Sequence, residues 1–278
     1  MKNIKKDFLV FTISIFYFIY CLKYNIYLKT QIIYSIDIWL TKIIPTLYPT
    51  LIIVDLIYNS NIPYYINKYL HLNYIYIISI ISGSPTNAHL LSNYKEDITK
   101  YLSITKYTSL LFTYNILKNI FQIKIVLILI ICNILTNLIL TIYLNPPKLN
   151  IHKKNYNIIN IIIKSISRNI NTLIIILGTI IFFNTLPINL IDNKIIKAII
   201  LSFLELTSSL NYLIITNLPL NIKLLCSIIT ISTCGLCIEF QIKSIINDTS
   251  IKYKQYIKYR LYHFIIYAIL VFISLQIL

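Results

Sequence analysis

Two short stretches decide how this chain is read: Ser82-Gly83-Ser84-Pro85-Thr86-Asn87-Ala88 and Ser232-Thr233-Cys234-Gly235-Leu236-Cys237. They hold two of only three glycines in 278 residues, and each interrupts apolar sequence with small and polar residues, one in either half. At membrane depth an unwound backbone leaves N–H and C=O groups unpaired, which is tolerated only against protein or a watery cavity. Matched interruptions of this kind point to the binding site of a transporter built from internal repeats.

The sequence around them belongs in a bilayer. It is 57% hydrophobic and 12% charged, with a mean hydropathy of +0.74, against about 25% charged residues in a soluble domain. Several stretches approach or exceed the ~20 apolar residues that cross a bilayer. The formal charge of +16 does not indicate nucleic acid, because the lysines are scattered between apolar spans rather than gathered on one soluble face. Lysines flanking spans fit anionic headgroups. The expected fold is therefore all-α: a polytopic helical membrane protein with two re-entrant hairpins in a pseudo-repeat.

The segments follow in order. Residues 1–30 read as a retained N-terminal transmembrane helix and connector, with Lys2, Lys5 and Lys6 ahead of apolar 8–22 and no small-residue cleavage site after it. A first half, 31–144, opens with a helix over 31–58 that Pro45 and Pro49 should kink. Its re-entrant hairpin is expected over 72–94, where the apolar run is too short to span and charge returns at Lys95, Glu96 and Asp97. A Ser/Thr-rich helix over 103–117 and a uniform span over 121–144 complete this half. The basic, Pro-containing linker 145–157, with Lys148, Lys153 and Lys154, leads to a second half, 158–278. There we expect spans over 158–186 and 195–215, a second hairpin over 222–246 broken at Cys234-Gly235, and a last span over 257–278. Loop lysines put residues 148–154 and 252–260 in the cytoplasm. That count opens both hairpins to one face, whereas an inverted repeat needs opposite faces.

Intramembrane carboxylates cost roughly 2.5–3.5 kcal/mol on insertion scales, so each needs a reason. Glu205, followed by Thr207, and Glu239, beside Gln241, are expected to serve the site. Asp37 and Asp55 lie near the ends of the kinked helix and are expected to meet headgroup water. At the first tip, Ser82, Gly83, Ser84, Pro85, Thr86 and Asn87 offer hydroxyl and amide donors beside a helix start, whose free N–H groups favour an anion. Thr105, Thr108 and Ser109 share one face at helical spacing. Cys234 and Gly235 form the second tip. Five cysteines show no second Cys-x-x-Cys and no histidine cluster, which argues against a metal or a redox pair. No cofactor motif is present: there is no Gly-rich phosphate loop, HExxH or Gly-x-Ser-x-Gly. An intramembrane hydrolase would have to use Ser82 or Ser84 with His89.

At these residues the chain resembles the YlbJ-like sporulation integral membrane proteins, relatives of the nucleoside-recognition Gate domain proteins. Residues 82–89 stand against a family pattern like Ser-Gly-Tyr-Pro-x-Gly-Ala-Lys, and 103–112 against Ser-Phe-Thr-Asn-x-Ser-Asn-Pro-Leu-Phe. Leu204-Glu205-Leu206-Thr207 is similar to its Glu-x-Thr segment. Residues 235–241 are similar to Gly-Leu-Ser-Val-His-x-Gln, and Arg260-Leu261-Tyr262-His263 to a closing Arg-Leu-x-His. Trp39 with Pro45 and Pro49 resembles its Trp…Pro-Ser-Leu-x-Pro helix. The likeness spans roughly 35–270. Ser84, Asn87, His89 and Glu239 depart from it, and Ser109-Leu110 replaces the Asn-Pro break, so helix 103–117 is expected to run on. The resemblance implies a role in endospore formation, in the cell or forespore membrane of a Gram-positive spore former, and a link to dipicolinate, a small aromatic dicarboxylate. The residues themselves reach a transporter of a small polar or anionic solute bound between two hairpin tips, in contact with the lipid bilayer and not with nucleic acid. Glu205 and Glu239 suit an anion only if protonated or paired, which brings a coupling proton or cation into the expectation. A non-transporting assembly protein of the spore envelope is the other reading.

Overall fold

The computed structural model describes residues 2–70, 74–94, 97–147, 153, 157–246 and 251–277, and among them all regular structure is helical. Lys95, Glu96, Lys148, Lys154 and most of the linker lie outside the described residues.

Helices α1 (Lys2–Lys23) and α2 (Asn25–Ile38) lead into a π-helical turn, Trp39–Ile43, and then α3 (Ile44–Asn59). Pro45 has no N–H and its ring crowds the carbonyl four residues back, so the wider turn just before it absorbs the mismatch. This is the distortion expected in the first half's opening helix. Trp39 Nε1 donates to Leu173 O at 3.0 Å and ties the turn to the second half. After the short α4 (Ile62–Tyr65), α5 (Tyr74–Ser82) and α6 (Thr86–Leu91) fold back on each other. Their base is closed by Tyr74 and Tyr94, whose hydroxyls are 2.7 Å apart. Next come α7 (Thr99–Ile104), α8 (Leu110–Leu117) and α9 (Ile123–Leu144). The second half contains α10 (Ile158–Asn184), α11 (Lys194–Leu204), α12 (Leu206–Ile215), α13 (Leu220–Thr233), α14 (Gly235–Ile245) and α15 (Tyr253–Gln276). Asn157 and Asn193 cap α10 and α11, each accepting from two backbone N–H groups.

Three expectations are corrected. Helix 103–117 does not run on: it is unwound over 105–109, so Thr105, Thr108 and Ser109 share an irregular segment rather than a helix face. The cause is the first tip, which captures its carbonyls. Ser84 N–H donates to Tyr107 O at 2.7 Å, and Asn87 Nδ2 to Thr105 O at 3.0 Å. The span expected over 195–215 is instead folded in two at Glu205. Ser202 Oγ lies 3.2 Å from Ser209 Oγ across the bend, and Lys197 Nζ sits 5.8 Å from the Tyr212 ring. The hairpin expected over 222–246 breaks where predicted but does not fold back, since α13 and α14 do not pack along each other. Two consecutive positive-φ residues, Cys234 (φ 60°) and Gly235 (φ 77°), redirect that helix, whereas extended Glu205 (φ −146°) lets its chain reverse.

Five stretches are long and apolar enough to cross a membrane: Asn25–Asn59, Ile123–Leu144, Ile158–Leu190, Leu220–Ile245 and Tyr253–Gln276. Helix α1 is not among them. Helix α3 packs on α10, and α9 on α15. Large side chains such as Ile131, Ile142 and Phe272 remain exposed along these helices, as lipid contact requires. Lipid tails are as apolar as leucine, so burial alone does not join helices; small residues and polar ties do. At one end of the bundle, Lys100 Nζ donates to Leu144 O (2.7 Å), Lys252 N–H to Thr99 Oγ1 (2.9 Å), and Lys252 pairs with Asp97 at 3.3 Å. Lys153 lies over the Tyr64 ring at the same end. The described residues Tyr64, Asp97, Leu144, Lys153 and Lys252 therefore lie at one end.

Candidate functional site

Four interruptions of the helices meet inside the bundle, two from each half. In the first half Gly83 (φ 73°) lies against the unwound segment: a Cβ there would sit 2.5 Å from Ser109 N. In the second, Gly235 (φ 77°) lies against the bend of α11–α12, where a Cβ would sit 3.0 Å from Leu204 O and 3.2 Å from Glu205 Cα. A Cβ at Gly83 would clash outright, and one at Gly235 would be tight and strained by its positive φ.

Between them is a cavity of about 100 Å³ open to water-sized molecules, where a single water needs ~10–15 Å³. Its wall takes Ser82, Ser84 and Pro85 from the first tip, Thr108 and Ser109 from the unwound segment, Glu205 and Thr207 from the α11–α12 bend, and Gln241 from α14. Lys42, Thr46 and Thr50, from the π-helical turn and α3, complete the polar part, with Ile176, Ile180 and Phe112 among the apolar residues. Lys42 also lines a second cavity of about 580 Å³ beside α11–α12.

The remaining expected residues stand behind this wall. Thr86, Asn87 and Thr105 are fully buried, and Asn87, donating from Nδ2 to Thr105 O, holds tip and segment together. Cys234 and Gly235 support the Glu205 backbone; Cys234 and Cys237 are free thiols, both buried. Glu239 faces away from the cavity. It pairs with Lys106 and accepts from the Tyr256 hydroxyl at 2.9 Å on each oxygen.

Glu205 has a defined local task. It is 4% exposed, and its carboxylate accepts the backbone N–H groups of Thr207 (2.9 Å) and Ser208, capping α12. The positive end of that helix is thus filled by the chain's own anion.

Sequence reasoning missed the cations that hold the breaks in place. Lys106, in the first unwound segment, reaches Glu239 and also donates to Thr233 O at 2.7 Å. Arg260, on α15, donates to Ser103 O near the end of α7 (3.0 Å) and to Ser232 O near the end of α13. One guanidinium therefore meets two helix C-termini, each carrying up to about half a negative charge. Both residues were visible as ionisable groups in apolar surroundings, which is itself a functional signal. Asp55 is a further correction: it does not meet headgroup water but is 3% exposed, bonded to His89, Ser165 and Asn169. The Ser–His pairing is not formed. His89 Nε2 is on Asp55, Ser82 Oγ donates to Ile78 O, and Ser84 Oγ to Asn87 Oδ1.

No family model, no curated protein and no solved structure matches this chain.

Proposed function

We propose that this protein is a membrane carrier that binds a small polar or anionic solute in the cavity where the four interruptions converge. The observation that carries the reading is that convergence: seven of the expected site residues line one cavity although they come from both halves. The wall suits a small solute with polar edges and an apolar body. Lys42 supplies counter-charge, Ser84, Thr108, Ser109 and Thr207 supply hydroxyls, and isoleucines cover the rest. Dipicolinate, which the family resemblance implies, has this character, and the forespore membrane is the location that goes with it.

The two folded-back pairs are, in this reading, re-entrant, and the halves form an inverted repeat. Each half runs through a span, a folded-back pair, a broken helix and a span: α2–α3, α5–α6, α7–α8, α9, then α10, α11–α12, α13–α14, α15. Like elements touch across the halves, α3 with α10 and α9 with α15. Three crossings per half turn the second half over, so the pairs enter from opposite faces. The shared end of the bundle, with Lys153, Lys252 and Lys254, is then cytoplasmic. Rocking of one half against the other would expose the cavity alternately.

Uptake of dipicolinate, other small carboxylates and nucleosides into vesicles carrying the purified protein tests this. Wild type should take up at least one saturably, with Lys42→Ala reducing the rate tenfold or more. A folded wild-type protein that refuses all of them overturns the carrier reading and leaves the assembly role.

A further inference from the structure

Glu205 and Glu239, the groups expected to carry a coupled proton, are both committed: one caps α12 and the other pairs with Lys106. The buried titratable pair without such a task lies elsewhere, where α6 meets α3 and α10. Asp55 is 3% exposed and His89 1%. The Asp55 carboxylate accepts from His89 Nε2 at 3.0 Å, Ser165 Oγ at 2.7 Å and Asn169 Nδ2 at 3.2 Å. Arg168 sits 3.9 Å from Asp55 and donates to Ser92 Oγ and Asn93 Oδ1, both at 2.8 Å. The outgoing limb of the first folded-back pair is thus clasped twice, at His89 and just beyond its end.

We infer that His89, paired with Asp55, is a proton-binding switch that locks α6 to α3 and α10 when charged and loosens it when neutral. The ligand is a proton. An ionised carboxylate is acceptor-only, so Asp55 holds the Nε2–H tautomer and Nδ1 is the nitrogen that takes the incoming proton. Protonated, the pair is an ion pair in a low-dielectric interior; neutral, it is a single hydrogen bond. His89 lies four residues from Pro85, which lines the cavity, so its charge state bears on the position of the tip.

The neighbouring charges do not duplicate it. Arg168, on α10, faces Asp55 with its side chain 42% exposed and remains charged throughout. On α3, Tyr58 stacks edge-on to Tyr94, and on α5 Tyr74 bonds Tyr94. On α7, Lys100 and Tyr101 reach Leu144 O and Pro147 O. On α14, Glu239 is on Lys106, and Lys243 lies over Tyr253.

Use of this switch to couple proton entry to solute movement rests on the carrier reading; the switch itself does not. The test is amide hydrogen exchange of residues 82–93 in the full chain in nanodiscs, from pH 5 to 8, normalised to intrinsic rates. The ion pair to Asp55 exists only while the imidazole carries its extra proton, so protection is full at low pH and lost as pH rises. Wild type should lose up to about tenfold protection per pH unit through the transition, the limit for one proton. His89→Gln and Asp55→Asn should each abolish the transition, since either removes the ion pair. A flat wild-type profile, or an unchanged transition in His89→Gln, overturns the proposal. Dipicolinate uptake by the same preparations separates the two ideas: uptake with a flat profile leaves a carrier without this switch, and a transition without uptake leaves the switch without the carrier.

Discussion

At the first interruption, Gly83–Pro85 against 105–109, the backbone is held by neutral groups: Ser84 N–H, the Asn87 amide and glycine contact. At the second, Glu205 against Cys234–Gly235, it is held by a carboxylate that turns inward to cap α12. Both meet the same demand, since an unpaired buried backbone group costs about 1–3 kcal/mol. The neutral solution leaves Ser82 and Ser84 on the cavity wall, with their hydroxyls donating within the tip. The charged solution uses the second tip's acid for structure. Between them Lys106, Glu239 and Arg260 lock the two broken helices to each other, so the halves meet as one unit.

The contrast can be broken by filling the first contact. Gly83→Val places a branched side chain at positive φ, with its Cβ 2.5 Å from a backbone nitrogen. We expect loss of more than about 4 kcal/mol, the range of severe overpacking and strain, seen as failure to elute as a monodisperse species from detergent. Gly235→Ala, whose Cβ would have 3.0 Å, should be milder and still fold. Next in size is Lys106→Met, which strands Glu239; breaking a buried pair costs about 3–5 kcal/mol. Adding Glu239→Gln should recover most of the lost thermal stability, and additive losses would refute the lock.

Smaller effects sharpen the comparison. Glu205→Ala should cost about 1 kcal/mol, the value of a helix cap, while Glu205→Gln keeps an acceptor and loses less; equal losses would speak against capping. Asp97 gives the smallest. Burial raises its carboxyl, but hydrogen bonds from Thr99 and the Lys252 charge outweigh this and leave it below the usual value. A lowered carboxylate stabilises above its unfolded pKa of about 3.9 and loses that contribution as pH falls through the folded value. Asp97→Asn should flatten this acid limb by under about 0.5 kcal/mol, less in high salt, because the pair is exposed.

Two of the four breaks were legible, those at Gly83 and Gly235; the breaks at 105–109 and Glu205, and which way the chain goes after each, were not. In a sequence with three glycines, Gly83 and Gly235 stand out, and both are at positive φ. Reversal at Glu205 and redirection at Cys234-Gly235 depend on the dihedral angles of one or two residues and on the segment each packs against, which composition does not record. Glutamate is also an uncommon cap, so Glu205 read as a site acid rather than as a helix start. The Lys106–Glu239 pair spans 133 residues, beyond any local pattern. Asp55 was placed correctly along its helix, but its depth is set by α6 and α10 folding over it.

The most direct test of a shared cavity is solute protection of cysteines placed around it. In a background without the five native thiols, Ser84→Cys and Ser109→Cys report the first half, and Thr207→Cys and Gln241→Cys the second. Dipicolinate, or whichever solute is taken up, should slow alkylation at all four positions with one common half-saturating concentration. Protection confined to one half, or at none of the four, would contradict a single site built by both.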